Sequence, residues 1–273
     1  MSVVNSNIKA LVASQALKLS EKSLGNAMVQ LSTGKRINSA ADDAAGLAIG
    51  NKMSTQIRSL GQAVRNANDG ISMIQTADGA AEGITNLLMR MREIAVQANN
   101  GTNSSSDQTA LQNEFASLQT EITRISDKTT WNGVALIGAD AGSVAYQIGI
   151  DGTADSQVTV TFKDLNSGTS FATAVATTTS ATTTTSITHI DDAISALDAF
   201  RSDLGAKINR LNYAADNLTN IATNTAASRS RIVDTDYAQT TSELARAQII
   251  RQAGTAMLAQ ANQQPAFVLA LLR

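Results

Sequence analysis

The longest helical pattern in this chain covers residues 57–98, which read IRSLGQAVRNANDGISMIQTADGAAEGITNLLMRMREIAVQA. Apolar residues recur there at alternating steps of three and four, the a/d spacing of a helix that packs along a seam. The seam residues are Ile57, Leu60, Val64, Ala67, Ile71, Ile74, Ala77, Ala81, Ile84, Leu88, Met91, Ala95 and Ala98. The step from Ile74 to Ala77 is three where four is due, and such a slip changes the supercoil locally without ending the helix. The segment is therefore predicted to be one continuous helix.

Two further seams offer partners to this helix. The nearer one begins after a Ser-rich stretch, where Ser105 and Gln108 have capping-box spacing, and it comprises Leu111, Phe115, Leu118, Ile122 and Ile125. The third comprises Ile187, Ile190, Ile194, Leu197, Leu204, Ile208, Leu211, Ala215, Leu218 and Ala222, with Arg201 as its one interruption. Segments 57–98 and 187–228 have equal length, so we predict a three-helix rod.

Four glycines, at positions 61, 70, 79 and 83, lie inside the first seam helix. Each costs about 1 kcal/mol of helix propensity relative to alanine. We expect them to let a neighbouring helix approach closely.

The two ends of the chain are also amphipathic. Near the N-terminus a heptad pattern consists of Ala10, Leu17, Leu24 and Leu31, with Ile8, Leu11 and Met28 beside it; near the C-terminus Tyr237, Leu244 and Leu258 fall on a heptad grid. Within one chain, each end has only the other end as a partner. Because a lone helix pair buries little surface, we expect both ends to be poorly ordered in the free monomer and to become stable when other copies cover them.

Residues 141–186 have a different pattern. Val144, Tyr146, Ile148 and Ile150 alternate with polar residues, Asp151-Gly152 signals a turn, and Val158, Val160 and Phe162 alternate again. Phe171 and Val175 are candidates for a third strand, and residues 177–186, TTTSATTTTS, resemble a linker. The whole is predicted to be mainly α, a long helical coiled-coil rod with a small inserted β region that is too small for a deep enzyme pocket.

Composition narrows the function classes. A net charge of −2 gives no reason to expect nucleic acid or an anionic membrane as a partner, and no apolar run approaches the roughly 20 residues that span a bilayer. The N-terminus lacks a basic region and an uninterrupted apolar run, so we expect a soluble chain that stays in the cytoplasm or leaves without a cleavable signal. With no cysteine and one histidine, His189, the usual metal sites and catalytic triads are not expected. We predict no enzymatic activity, no metal and no cofactor.

The stretch 31–50, LSTGKRINSAADDAAGLAIG, lies between two helical patterns and raises the question of a phosphate or metal site. The P-loop motif fails, because Val29 stands at its first glycine and Arg36 follows Lys35. Asp42 and Asp43 are adjacent, so on a helix they would point about 100° apart and could not easily share one ion. We interpret the stretch as a joint between a helix that ends near Leu31 and a rod helix that begins after Met53.

Taken together, long segments of the chain resemble bacterial flagellin. They are the stretch 31–50, NANDGISMIQTADGAAEGITNLLMRMREIAVQANNGTNSSSD at 66–107, TTWNGVALI at 129–137, and ELARAQIIRQAGTAMLAQANQQPAFVLALLR at 243–273. The resemblance covers about residues 1–140 and 187–273, whereas the middle insert resembles nothing that we can name.

The resemblance implies a filament subunit with five segments. Residues 1–44 would form the N-terminal helix of the inner filament core plus a spoke, and 230–273 the C-terminal core helix. Residues 45–140 and 187–229 would form the rod, and 141–186 a variable outer insert. The implied subunit interface comprises Leu17, Leu24, Leu31, Lys35, Arg36, Asp42, Asp43, Leu244, Leu258 and Leu272.

It further implies export through the flagellar type III system to an extracellular filament that drives swimming. The implied partners are other copies of the chain, an export chaperone, and the cap and hook-junction proteins. MRMREIAV at 89–96 is similar to the segment that a Toll-like receptor of innate immunity recognises, which implies contacts at Arg90, Ile94 and Glu114. Two alternatives stay open from sequence: a hook–filament junction protein, and a flagellin whose insert binds a ligand.

Overall fold

The computed structural model describes residues 7–164 and 184–271, with the side chains of 154, 184 and 264–271 left aside. Leu272, Phe171, Val175 and most of the Thr-rich run lie outside the described residues. The helices are α1 (Ile8–Thr33), α2 (Ala44–Ala98), α3 (Ser105–Lys128), α4 (Thr184–Val233) and α5 (Tyr237–Leu271). The strands are β1 (Thr130–Trp131), β2 (Val134–Ala135), β3 (Ser143–Gln147) and β4 (Gln157–Thr161). The predicted mainly α fold with a small β region is confirmed.

The chain divides into two compact units. One, the middle unit, consists of residues 58–222, and the other, the terminal unit, combines the residues before 58 with those after 222.

The core of the middle unit is built on the predicted seams. On α2 the seam side chains from Ala67 to Ala98 are almost all fully buried, and they pack with Phe115 and Ile122 of α3 and with Leu197 of α4. Ile74 and Ala77 are both 0% exposed, so the slipped step keeps the seam in the core within one continuous helix. The three-seam prediction is therefore confirmed.

Arg201, which interrupts the apolar seam of α4, forms an ion pair with α2. Arg201 Nε lies 2.8 Å from Asp78 Oδ1, and Nη2 lies 3.8 Å from Glu82 Oε2. The hydrogen bond to Asp78 raises the pKa of the Arg201 guanidinium. A charged residue thus occupies a seam position without an unpaired charge facing the core.

Two hairpins follow α3. In the first, Asn132 and Gly133 connect β1 to β2 with φ angles of 49° and 82°, as a type I′ turn requires. In the second, β3 pairs antiparallel with β4, and Val158, Val160 and Phe162 close over the core. The predicted alternation extended through Ile150, but β3 ends at Gln147 and Ile150 lies 43% exposed in the loop beyond it.

The structure corrects the expected role of the glycines. A Cβ at Gly70 would meet the ring of Tyr146 on β3 at 3.0 Å, so the close neighbour there is a strand side chain rather than a helix. Gly79 and Gly83 have nothing within 4 Å, and at Gly61 the nearest atom belongs to Arg65 on the same helix. For these three the expected close approach within the chain is wrong.

Two helix starts also differ from the predictions. The capping box of α3 uses Ser104 and Asp107 rather than Ser105 and Gln108, because the Asp107 carboxylate accepts both the Ser104 hydroxyl and its main-chain N–H. These hydrogen bonds lower the pKa of Asp107. Helix α2 begins at Ala44, ten residues before the predicted start after Met53, because its first turn is capped by Asp43.

Candidate functional site

The terminal unit is built on an antiparallel pair of helices, α1 and α5, joined by three hydrogen bonds from side chains to main-chain carbonyls. Asn7 Nδ2 donates to Ala261 O at 2.8 Å, and Ser20 Oγ donates to Ala247 O at 3.1 Å. At the other end Tyr237 Oη donates to Leu31 O at 3.4 Å. The partners on α5 run backward as α1 runs forward, so all three bonds belong to one antiparallel register.

A narrow stripe on each helix is buried in this pair. On α1 it contains Ser20, Leu24 and Ala27, and on α5 it contains Thr240 and Ala247. Small residues predominate at its centre, which lets the two backbones approach closely enough for a serine to reach a carbonyl. The stripe therefore combines apolar packing with a hydrogen bond that specifies register.

The predicted interface leucines lie on this stripe. Leu24 is buried, and Leu17, Leu31, Leu244 and Leu258 are half-buried at the same helical spacing. A Cβ at Gly254 on α5 would meet Leu17 Cδ1 at 3.4 Å. In the single chain these leucines thus contribute to the contact between α1 and α5, and Leu272 falls outside the described residues.

The outer surfaces of both helices carry a second, exposed set of large apolar residues. We call this set the outer apolar face: Ile8, Leu11, Val12, Leu19, Met28 and Val29 on α1, and Tyr237, Ile249, Ile250 and Met257 on α5. Their exposed fractions run from 47% to 72%. The heptad analysis found only part of it, because α5 is apolar on several sides and the seam pattern marks just one of them.

The joint between α1 and α2 is hydrogen-bonded to the end of α4 and to the segment between α4 and α5. Gly34 ends α1 in the left-handed conformation, with φ of 68°. Arg36 N donates to Val233 O at 2.7 Å and its Nη2 to Ile232 O at 2.7 Å, while Thr235 N donates to Gly34 O at 3.0 Å. Lys35 forms a single antiparallel bridge with Asp234.

The two aspartates of the joint accept hydrogen bonds from main-chain N–H groups. Asp42 Oδ2 accepts from Asn38 N at 3.1 Å and from Ser39 N at 2.8 Å, and these bonds, with that of Ser39 foremost, lower the pKa of the carboxyl. Asp43 Oδ1 accepts from Gly46 N at 2.8 Å in the first turn of α2. The interpretation of this stretch as a joint agrees with these bonds.

A cleft of about 530 Å³ lies beside the joint. Its charged lining consists of Lys22 and Arg36 on the positive side and Asp42 and Asp43 on the negative side. The structure therefore brings together three of the four charged residues predicted as subunit contacts, together with Lys22, which sequence reasoning did not select. Lys35 instead lines a smaller cleft of about 130 Å³ with Ile37 and Val233.

The segment similar to a receptor-binding motif lies in the middle unit. Arg90 Nη2 contacts Glu114 Oε1 at 2.8 Å and its Nη1 contacts Glu93 Oε2 at 3.0 Å, so Arg90 and Glu114 form an exposed ion pair between α2 and α3. The hydrogen bond to Glu114 is the main reason that the pKa of Arg90 is raised. Ile94, in contrast, is 0% exposed, so its side chain is not available at the surface of the chain.

The other candidate chemistries find no support in the described ranges. In residues 7–164 and 184–271, no three His, Asp or Glu side chains gather as ligands for a metal ion. None of the helices in these ranges combines the length and apolar character of a membrane span. His189 is half-buried on α4.

Comparison with known proteins gives a consistent result. The family profile described as the bacterial flagellin N-terminal helical region matches residues 4–140, and the profile of the bacterial flagellin C-terminal helical region matches residues 187–272. A flagellin of Halalkalibacterium halodurans is 44% identical over 99% of this chain and 100% of its own length. Flagellin E of Vibrio cholerae is 33% identical over 99% of each chain.

Among solved structures, the crystal structure of Bacillus cereus flagellin is similar at 31% sequence identity. It covers 60% of this chain and 94% of the other, with a TM-score of 0.49.

Proposed function

Since this chain belongs to the bacterial flagellin family, we propose that its terminal helices, α1 and α5, carry the contacts that join one subunit to the next in the flagellar filament. A flagellin is the structural subunit that polymerises into the helical filament used for swimming. The proposal identifies the surfaces of this chain through which its copies contact one another in the filament.

The outer apolar face is the observation that carries the proposal. Ten large apolar side chains on two adjacent helices are between 47% and 72% exposed. Exposed apolar surface of this extent is unfavourable in water and is typical of surfaces that bind another protein. Other copies of the same chain would cover it, and a repeated contact between unlike surfaces that does not close into a ring produces a helical filament.

The charged cleft is the second part of the proposed interface. Lys22, Arg36, Asp42 and Asp43 line this cleft of about 530 Å³. The positive and negative side chains of this cleft can each pair with an opposite charge on a neighbouring subunit. Such complementary charges fix the orientation of the partner and contribute to specificity more than to affinity. We assign Lys35, at the neighbouring cleft, to the same interface.

We propose the segment assignment that the resemblance implies. Residues 1–44 and 230–273 form the inner filament core with the spoke, residues 45–140 and 187–229 form the rod, and 141–186 form the outer insert. The stripe leucines Leu17, Leu24, Leu31, Leu244 and Leu258 hold the core pair together, and Leu272 stays a prediction from the resemblance.

Further partners follow from the family. The subunit leaves the cell through the flagellar type III system, held beforehand by an export chaperone, and in the assembled filament it meets the cap and hook-junction proteins. In a host, the exposed pair of Arg90 and Glu114 is accessible to a Toll-like receptor, and Arg90 lies in the segment 89–96 that is similar to the one such a receptor recognises. Arg90→Ala and Glu114→Ala should each reduce receptor activation by free subunits, whereas the buried Ile94 acts only through the packing of α2.

Substitution on the outer apolar face tests the proposal. Ile249→Ser should raise the critical concentration for polymerisation by about tenfold or more, because a buried isoleucine contributes about 1.5–3 kcal/mol. The matched control is Ile150→Ser, since Ile150 is also exposed but lies in the hairpin loop of the outer insert. We expect the control to polymerise normally and both variants to keep the helix content of the parent.

Truncation tests the same surfaces more severely. Deleting residues 1–30 or 244–273 should abolish filaments seen by electron microscopy, while the middle unit stays folded by circular dichroism. Normal filaments from either truncated chain, or from Ile249→Ser at the parent concentration, would contradict the proposed interface.

A further inference from the structure

Four methionines among the described residues differ sharply in exposure. The chain contains seven methionines and no cysteine, so thioethers are its only sulfur groups open to oxidation. Met73 is 5% exposed and Met91 is 0% exposed, both in the core of the middle unit. Met28 and Met257, in contrast, are 56% and 63% exposed on α1 and α5.

Met28 and Met257 both belong to the outer apolar face. Met28 is followed by Val29, which is 48% exposed, and the register set by the Asn7–Ala261 hydrogen bond places Met257 level with Leu11. Leu11 is 72% exposed, the most exposed of the large apolar side chains on this face. A change of polarity at either sulfur therefore adds a polar group to the set of apolar side chains that forms this face.

We propose that Met28 and Met257 are oxidation sites, and that peroxide oxidation of these two residues in the free subunit blocks its addition to the filament. This inference rests on the proposed function, because it requires that the outer apolar face is buried between subunits. It adds a chemical condition under which assembly stops.

The chemistry is a two-electron oxygen transfer. A lone pair of the thioether sulfur attacks one oxygen of hydrogen peroxide, the O–O bond breaks, and a sulfur–oxygen bond forms. The sulfur is oxidised to the sulfoxide, and the departing hydroxide takes up the proton of the transferred hydroxyl to leave as water. The flexible apolar side chain becomes polar, with a strong acceptor oxygen.

Burial explains the expected effect. A sulfoxide oxygen transferred from water to an apolar contact with another subunit loses its hydrogen bonds to water, and a polar group buried without a new partner is destabilising. Addition of an oxidised subunit should therefore be weakened, whereas the fold should survive because Met73 and Met91 are shielded.

The experiment treats free subunits and preformed filaments with hydrogen peroxide in parallel. Peptide mass spectrometry measures the sulfoxide fraction at each methionine, and seeded polymerisation measures the critical concentration. In free subunits we expect oxidation at Met28 and Met257, little at Met73 and Met91, and a critical concentration raised about tenfold or more. In filaments we expect Met28 and Met257 to be protected.

Variants locate the effect. The double variant M28L/M257L carries no thioether on the outer apolar face, so its critical concentration should be the same with and without peroxide, whatever its value relative to the parent. The comparison variant M89L removes a thioether that is 51% exposed on the middle unit, and it should remain as peroxide-sensitive as the parent. Reduction of oxidised parent subunits by methionine sulfoxide reductases should restore polymerisation, which tests the proposal even if the double variant assembles poorly.

The outcomes separate the inference from the proposed function. Subunits oxidised at both sites that still polymerise at the parent concentration overturn the inference and leave the proposed function intact. The inference is likewise overturned if M28L/M257L assembles but stays peroxide-sensitive, if M89L alone gives resistance, or if reduction fails to restore assembly. Equal oxidation of Met28 and Met257 in filaments and free subunits contradicts burial of the outer apolar face, and with it both proposals.

Discussion

The hydroxyl of Ser20 on α1 donates a hydrogen bond of 3.1 Å to the main-chain carbonyl of Ala247 on α5. A serine side chain is short, so this bond forms only where two helix backbones lie close together. Ala27 and Ala247, on the same stripe, are 3% and 4% exposed and leave room for that approach. A single polar contact at the centre of an apolar stripe favours one register of the pair over the slipped alternatives.

Removing this contact should weaken the terminal unit. Ser20→Ala deletes the hydroxyl, and a buried hydrogen bond of this kind contributes about 0.5–1.5 kcal/mol. We expect the terminal helices of the free subunit to unfold or be cleaved by protease more readily, as measured by limited proteolysis and circular dichroism. Ser23→Ala is the matched control, since Ser23 is exposed on the same helix and should behave like the parent. Equal protease sensitivity of both variants would show that the Ser20 hydroxyl does not stabilise the α1–α5 pair.

Acid should loosen the joint through Asp42. Its pKa is lowered because the carboxylate accepts the N–H groups of Ser39 and Asn38. A carboxyl whose pKa is lower in the folded state stabilises that state fully above its unfolded pKa, about 3.9, and the contribution disappears as pH falls through the folded pKa. Asp42→Asn should therefore lose stability at pH 7 and show a shallower loss below pH about 4, as measured by thermal unfolding across pH. A parallel pH profile for Asp42→Asn and the parent would contradict this assignment.

Asp43 should act differently from Asp42, because it caps α2. Asp43→Ala removes the acceptor of the Gly46 N–H and should reduce stability by about 0.5–2 kcal/mol, whereas Asp43→Asn or Asp43→Ser should recover most of it. Thermal unfolding by circular dichroism measures the difference, and swimming assays on soft agar measure its effect on assembly. If Asp43→Ser were no better than Asp43→Ala, the role of Asp43 would not be helix capping.

The ion pair between Arg201 and Asp78 should couple α4 to α2 more strongly than an exposed pair does. The two side chains are 31% and 38% exposed, so screening by water keeps the expected coupling near 1 kcal/mol. A double-mutant cycle with Arg201→Met and Asp78→Asn measures it through chemical unfolding. The control cycle uses Arg124 and Glu121, which form an (i, i+3) pair on α3 and should couple by about 0.5 kcal/mol or less. Equal coupling in both cycles would mean that Arg201 does not link the seams.

Two glycines of α2 should respond oppositely to alanine. Gly79→Ala places its methyl group in open space and should stabilise the free subunit by up to about 1 kcal/mol through helix propensity. Gly70→Ala places its methyl group 3.0 Å from the Tyr146 ring, so the gain should be lost to displacement of β3. Chemical unfolding of the two variants should differ by about 1 kcal/mol or more. A stabilised Gly70→Ala would show that the hairpin moves freely.

The seam pattern predicted the core of the middle unit well because burial there follows helical periodicity. It did not predict that Ile94, next to the seam residue Ala95, is also fully buried. Seam spacing marks a single contact line, whereas α2 packs against α3, α4 and the β3–β4 hairpin and so buries more than one line of residues. Family resemblance likewise pointed to Ile94 without indicating whether its side chain reaches the surface.

Local hydrogen bonds decided the features that the sequence patterns missed. Several adjacent Ser and Asp residues near positions 104–107 and 42–43 could each cap a helix, and spacing alone does not choose among them. The choice falls on Asp107 and Asp43 because their carboxylates reach main-chain N–H groups in the folded geometry.

By itself the sequence determined that this chain is mainly helical, where its three rod seams run, that its ends are amphipathic, and to which family it belongs. These properties depend on periodicity and on long matched segments, both of which are visible in the order of residues along the chain. Only the tertiary structure decided that Leu17, Leu24, Leu31, Leu244 and Leu258 lie on the stripe within the α1–α5 pair, leaving the outer apolar face exposed. A heptad pattern indicates that a helix packs against a partner. Which surface the same chain covers depends on how closely the two helix backbones approach, and only the packed pair shows that distance.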